Sequence, residues 1–96
     1  MKTLSFRPLA DKDLEDIWRF TVTRWDRAQA DAYVTAIIGV VEALIDNVER
    51  HPEARSLHPG LRKARSGSHL IYFFANDEGV DVVRILHERR DLETGL

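Results

Sequence analysis

The chain has no cysteine among its 96 residues, which removes disulfide frameworks, thiolate zinc sites and cysteine nucleophiles together and fits a reducing compartment. Glycine is scarce at 5 and proline at 3; no glycine-rich phosphate loop is present, and no repeat, low-complexity segment or domain linker interrupts the chain. The opening, Met1 to Pro8, lacks the apolar core of a secretory signal. No stretch reads as the roughly 20 apolar residues of a membrane span, so a cytoplasmic chain without a membrane is expected. A charge excess is also missing, with 14 Lys+Arg against 16 Asp+Glu. Without a long-range positive field, sequence-independent coating of DNA is excluded, and no direct sequence-specific DNA binding is expected.

What is present suits one domain over residues 1–96, with 44% hydrophobic content. At this length folding buries only about 65% of the surface an unfolded chain exposes, so the core is efficient or a partner assists it. The charge is unevenly spread: residues 1–49 hold 6 basic and 9 acidic side chains, residues 50–96 hold 8 and 7. Between Arg50 and Ala75, Arg50, Arg55, Arg62, Lys63 and Arg65 face only Glu53. That local basic surface fits docking of an acidic partner.

Thr3 to Phe6 alternates polar and apolar residues, the pattern of a short half-buried strand that Pro8 ends. Leu14, Ile17, Trp18, Thr21, Val22 and Trp25 then recur at intervals of three and four. They place one apolar helical face inward, with Asp13, Glu15, Asp16 and Arg19 outward. Asp26 is a capping residue for a second helix, whose stripe runs through Ala30, Tyr33, Val34, Ile37, Ile38, Val41, Leu44, Ile45 and Val48 until His51-Pro52 closes it. A link this short makes the two helices an antiparallel hairpin. Leu61 to Arg65 reads as an edge strand with basic outward positions, turned by Ser66-Gly67-Ser68. His69 to Ala75 is apolar on both faces, as a central strand is, and Asn76 to Gly79 turns into a last strand from Val80 to Leu86. The order β-α-α-β-β-β predicts an α+β fold in which a helical hairpin packs on one face of an antiparallel sheet.

The chemistry-bearing residues sort less sharply. His51, His58, His69 and His87 show neither an i,i+4 helical pair nor an HxH strand pair, so neither a metal nor any other cofactor is expected. Ser66 and Ser68 beside His69 belong first to a turn. The acidic residues Asp11, Asp13, Glu15 and Asp16 suit the positive end of a helix dipole and solvent. Trp18, Trp25, Tyr33 and Tyr72 suit packing. What remains is a basic set, Arg62, Lys63, Arg65, Arg84, Arg89 and Arg90 with His87, that converges on one surface if the strands align it. Arg84 lies between Val82-Val83 and Ile85-Leu86, where a lone charge is costly; it either pairs with a carboxylate or faces a functional groove.

The segments Ala10 to Trp18, His51-Pro52, Leu61-Arg62, Ser66 to His69 and, most specifically, Val83-Arg84-Ile85-Leu86-His87-Glu88-Arg89-Arg90-Asp91 resemble the RelE/ParE toxin superfamily, the ParE branch above all. The resemblance covers nearly the whole chain in order. It implies a toxin of a type II toxin-antitoxin pair, bound and neutralised by a ParD-like antitoxin and inhibiting growth by binding DNA gyrase. The RelE branch instead cleaves messenger RNA on the ribosome and carries a tyrosine near its C-terminus. Here no tyrosine follows Tyr72, and general acid-base partners for Arg65, Arg84 and Arg89 are not evident. The resemblance thus implies a non-enzymatic toxin, with an endoribonuclease or a non-toxic antitoxin-binding module as the alternatives.

Overall fold

A computed structural model describes residues 2–47, 51–54 and 57–90 of the chain. Strand β1 (Thr3–Phe6) leads into helices α1 (Pro8–Arg24) and α2 (Arg27–Asn47). Strands β2 (Arg62–Ser66), β3 (His69–Asn76) and β4 (Gly79–His87) follow, and a single 3-10 turn covers Glu88–Arg90. The expected order of elements is found. Val48, Arg50, Arg55, Asp91 and the tail to Leu96, which entered the sequence reading, lie outside the described residues.

Pro8 opens α1 where its missing N–H would have no helical partner. The Asp26 carboxylate accepts the Gln29 N–H at 2.7 Å and so caps α2 as expected. The indole of Trp18 donates to Asp31 at 2.8 Å and ties the two helices across their hairpin. Two positions on α1 differ from the expected pattern. Its buried residues are Ala10, Asp13, Ile17 and Thr21, so the inward stripe is rotated from the one read in sequence and includes Asp13. Trp25 is 71% exposed. The helix ends at Arg24, and at Trp25 the backbone turns to φ −126°, ψ −99°, so helical spacing no longer aims this side chain.

The sheet order is β1-β4-β3-β2. Strands β2, β3 and β4 form an antiparallel meander, whereas β1 joins β4 in parallel, making the sheet mixed. A four-residue alternating strand carries no directional information, and the parallel pairing shows only in three dimensions. The hairpin covers one face: Ile17, Ile37, Val41 and Leu44 pack on Ile71, Phe73, Val82 and Ile85. On the other face Leu70, Tyr72 and Leu86 lie under Ala54, Leu57 and Leu61 from the segment between α2 and β2. That second layer explains why β3 is apolar on both sides.

Among the described residues, the Arg27–Asp46 stretch of α2, with mean hydropathy 1.4, is long and apolar enough to cross a membrane by length and composition. The expectation that no such stretch exists is corrected. Its interspersed alanines raise the hydropathy without forming a block of large side chains. In the fold Ala30, Ile37, Val41 and Leu44 are fully buried, so a stripe of this helix belongs to the core.

The pairing of β3 with β4 slips between Tyr72 and Phe73, which face Arg84 and Val82 respectively. Val83 is the extra residue. Such a bulge bends the strand and re-aims the neighbouring side chain, here Arg84, towards α1.

Candidate functional site

The bulge determines what assembles at the end of β4. Two-stranded pairing counted back from the Asp77-Glu78 turn without a bulge would place Leu86 opposite His69; with it, His87 takes that place. The imidazoles of His69 and His87 meet edge to face, with centroids 5.3 Å apart. Tyr33 reaches them from α2, its hydroxyl 2.6 Å from His69 Nδ1. The same hydroxyl accepts the Ser68 N–H at 3.0 Å. Gly67 makes this approach possible. Its φ is +57°, and a Cβ there would stand 2.8 Å from the Tyr33 hydroxyl, so any side chain would disturb both turn and contact.

The turn after β4 is tied back at several points. Glu88 N–H donates to Ser68 O at 2.8 Å, the Glu88 carboxylate pairs with Arg65 at 2.5 Å, and Arg89 N–H donates to His87 Nδ1 at 3.1 Å. Beside it Arg84 is locked in place. Its Nε and Nη2 donate to the two oxygens of Asp13 at 2.8 and 3.0 Å, and Asp13 also accepts the Ile85 N–H at 2.9 Å. This decides between the two readings of Arg84: it pairs with a carboxylate. It also corrects Asp13, which faces the sheet because a guanidinium and a backbone donor there need an anion.

Between α1 and this end of the sheet runs an open groove of about 480 Å³. Ile17, Ile85 and Leu86 give it apolar lining, Phe20 stands at its side with 66% of its surface exposed, and Arg89, Arg90 and Asp16 add charge. Among the described residues the Arg89 and Arg90 guanidinium groups have no ion-pair partner.

The electrostatics follow from these contacts. Burial holds the His69 imidazole below its ordinary value of 6.5, and the neighbouring His87 acts in the same direction; Asp13 and Glu88 partly oppose them. The hydrogen bond to Asp13 raises Arg84 further. The hydrogen bond from Arg65 lowers the Glu88 carboxyl.

The predicted basic set is thus only partly brought together. Arg65, His87, Arg89 and Arg90 share the end where β2 and β4 finish. Arg62 lies about 13 Å back along β2, half-buried, donating to His51 O at 2.7 Å and facing Glu53. Lys63 is its neighbour on the same edge strand. Sequence reasoning missed Tyr33, His69, Phe20 and Asp13 as parts of this site. Two imidazoles, His69 and His87, meet at the groove, a juxtaposition that the spacing in sequence does not reveal. Among the described residues no group of three or more His, Asp or Glu is arranged to hold a metal ion.

A mixed sheet under a helical hairpin, with a basic and apolar groove at the end of β4, defines a small α+β fold built to bind a partner at one end, and comparison with known proteins gives its family. The family described as ParE toxin of type II toxin-antitoxin system, parDE, matches residues 4–92. Toxin ParE1 of Mycobacterium tuberculosis is 34% identical over 90 residues, covering 93% of this chain and 92% of that protein. Toxin ParE of Escherichia coli is 34% identical over 88 residues, covering 91% and 85%. Among solved structures, a chromosomal ParDE toxin-antitoxin system from P. aeruginosa aligns with a TM-score of 0.76 at 21% identity, over 91% of this chain and 96% of that one. The RelBE2 toxin-antitoxin complex of Mycobacterium tuberculosis aligns at 0.63 with 18% identity, over 90% and 96%. The chain belongs to the ParE toxin family of type II toxin-antitoxin systems.

Proposed function

We propose that this chain is a growth-inhibiting toxin that acts by binding DNA gyrase in the cytoplasm, as one domain over residues 1–96, and that a ParD-like antitoxin neutralises it. Family membership supports the toxin, and the toxin-antitoxin complexes among its structural relatives support the partner. One observation carries the choice of surface. Arg84 is committed to Asp13 and Arg65 to Glu88, whereas Arg89 and Arg90 are exposed beside Phe20 and His87 on the groove. An exposed aromatic next to exposed arginines is the composition of an interface hot spot. Arg62 and Lys63 are assigned to the acidic antitoxin through their side-chain charges alone, because the 52–54 segment already bridges this edge of β2.

Purified gyrase tests this reading. Supercoiling is expected to be inhibited by the folded chain and restored when its antitoxin is added; full supercoiling with the chain in excess would overturn the target. A second reading is favoured by the paired imidazoles of His69 and His87 beside Tyr33, the acid-base equipment that an endoribonuclease needs. Ribosome-bound messages left intact by the folded chain would remove it.

A further inference from the structure

The cluster that ties the Glu88–Arg90 turn to the sheet contains two imidazoles in edge contact, each with its Nδ1 already engaged. Tyr33 Oη accepts the Ser68 N–H, so its own proton is directed at His69 Nδ1, 2.6 Å away. His87 Nδ1 accepts the Arg89 N–H. An imidazole that accepts at Nδ1 is neutral and carries its proton on Nε2. We propose that Tyr33, His69 and His87 form a proton-operated clasp on the Glu88–Arg90 turn: with both rings neutral it fixes the Arg89 backbone at the groove, and protonation of the pair loosens that backbone while Glu88 stays tied to Ser68 and Arg65.

The loosening has a concrete route. A proton on His87 Nδ1 replaces an acceptor with a donor facing the Arg89 N–H, and that bond is lost. A proton on His69 Nδ1 reverses its bond with the Tyr33 hydroxyl, which then accepts from His69 as well as from Ser68, and places a positive charge against the second ring, 5.3 Å away. Because the rings touch, their protonation is coupled. The surroundings set its sense. Asp13 and Asp16 approach from α1, Tyr33 from α2, Arg65 from β2, Arg84 from β4, and Glu88, Arg89 and Arg90 from the turn itself. Asp13 and Glu88 favour an added proton even though Arg84 and Arg65 pair with them, whereas burial and the His87 ring oppose it and prevail. The lowered His69 value, caused first by burial and then by His87, agrees. A groove that becomes more cationic and less ordered as pH falls makes the binding of an anionic segment there pH-dependent. The clasp itself is a property of the chain alone and does not rest on the identity of that segment.

The test is an NMR titration of the full chain from pH 8 to pH 5, following the His69 ring and the hydrogen-exchange protection of the Arg89 amide, corrected for intrinsic exchange. His69 is expected to titrate below 6.5, with Arg89 protection falling about five-fold over the same range, the equivalent of one net hydrogen bond. His87→Asn keeps an acceptor at the place of Nδ1 but cannot titrate. In that variant Arg89 protection is expected to be flat with pH, and the His69 midpoint to rise because the neighbouring charge is gone. Arg89 protection that stays constant in the unaltered chain, an undiminished pH dependence in His87→Asn, or a His69 midpoint at or above 6.5 would each overturn the clasp. The unaltered chain decides the matter if the variant does not fold.

Discussion

Asp13 accepts three hydrogen bonds, two from Arg84 and one from the Ile85 amide, while only 11% of its side chain is exposed. Removing it strands a guanidinium and a backbone donor beside the β4 bulge. Asp13→Ala is therefore expected to lower unfolding stability by about 2–4 kcal/mol in urea titrations, and Asp13→Asn by less, since one oxygen remains. A loss under about 1 kcal/mol for the alanine variant would mean that Arg84 finds another partner. His69 yields a second expectation. Its folded value lies below 6.5, so the unfolded chain binds the proton more readily. Its contribution to stability is complete above 6.5 and is lost as pH falls from there through the folded value. His69→Asn retains an acceptor for Tyr33 and should flatten stability between pH 7 and pH 5; an unchanged slope would assign that dependence to other groups. The Glu88 carboxyl, lowered by Arg65, has its effect at more acid pH, present above 4.5 and lost as pH falls through the folded value.

Among the elements, β1 depends on a single glycine. Gly79 has φ +144°, and a Cβ there would fall 1.8 Å from the Thr3 carbonyl oxygen, on the strand it pairs with. Gly79→Ala must therefore push β1 away from β4. About 2 kcal/mol or more of destabilisation is expected, with exchange protection lost first at Thr3 to Phe6; intact protection there would contradict the account. The elements themselves were largely legible in the sequence, because each rests on a local signal. Asp26 caps α2, Pro8 opens α1, and the alternation of Leu61 to Arg65 marks an edge. The site was less legible for two physical reasons. The β4 bulge changes the cross-strand partner of His69 from Leu86 to His87, which no local pattern reveals. The inward stripe of α1 is rotated so that it takes in a carboxylate, which hydropathy alone assigns to solvent. Arg84 was legible as an anomaly, and its partner was not.

The whole molecule combines a near-neutral total charge with a groove whose exposed arginines stand beside an exposed phenylalanine. Leu9 and Trp25 are exposed as well, so a 96-residue chain leaves apolar surface that a partner would bury. Binding to the folded form raises stability by mass action. The melting temperature is therefore expected to rise with antitoxin concentration, and a melting curve insensitive to a saturating antitoxin would deny the pair. The end of β4, with Arg89 and Arg90 exposed at the groove, is the surface through which this ParE-family toxin is proposed to act. The most direct measurement is viable count after inducing the unaltered chain and an Arg89→Glu, Arg90→Glu variant shown to be folded. Loss of viability with the first and normal growth with the second is the predicted result; equal toxicity of the two would place the acting surface elsewhere on the molecule.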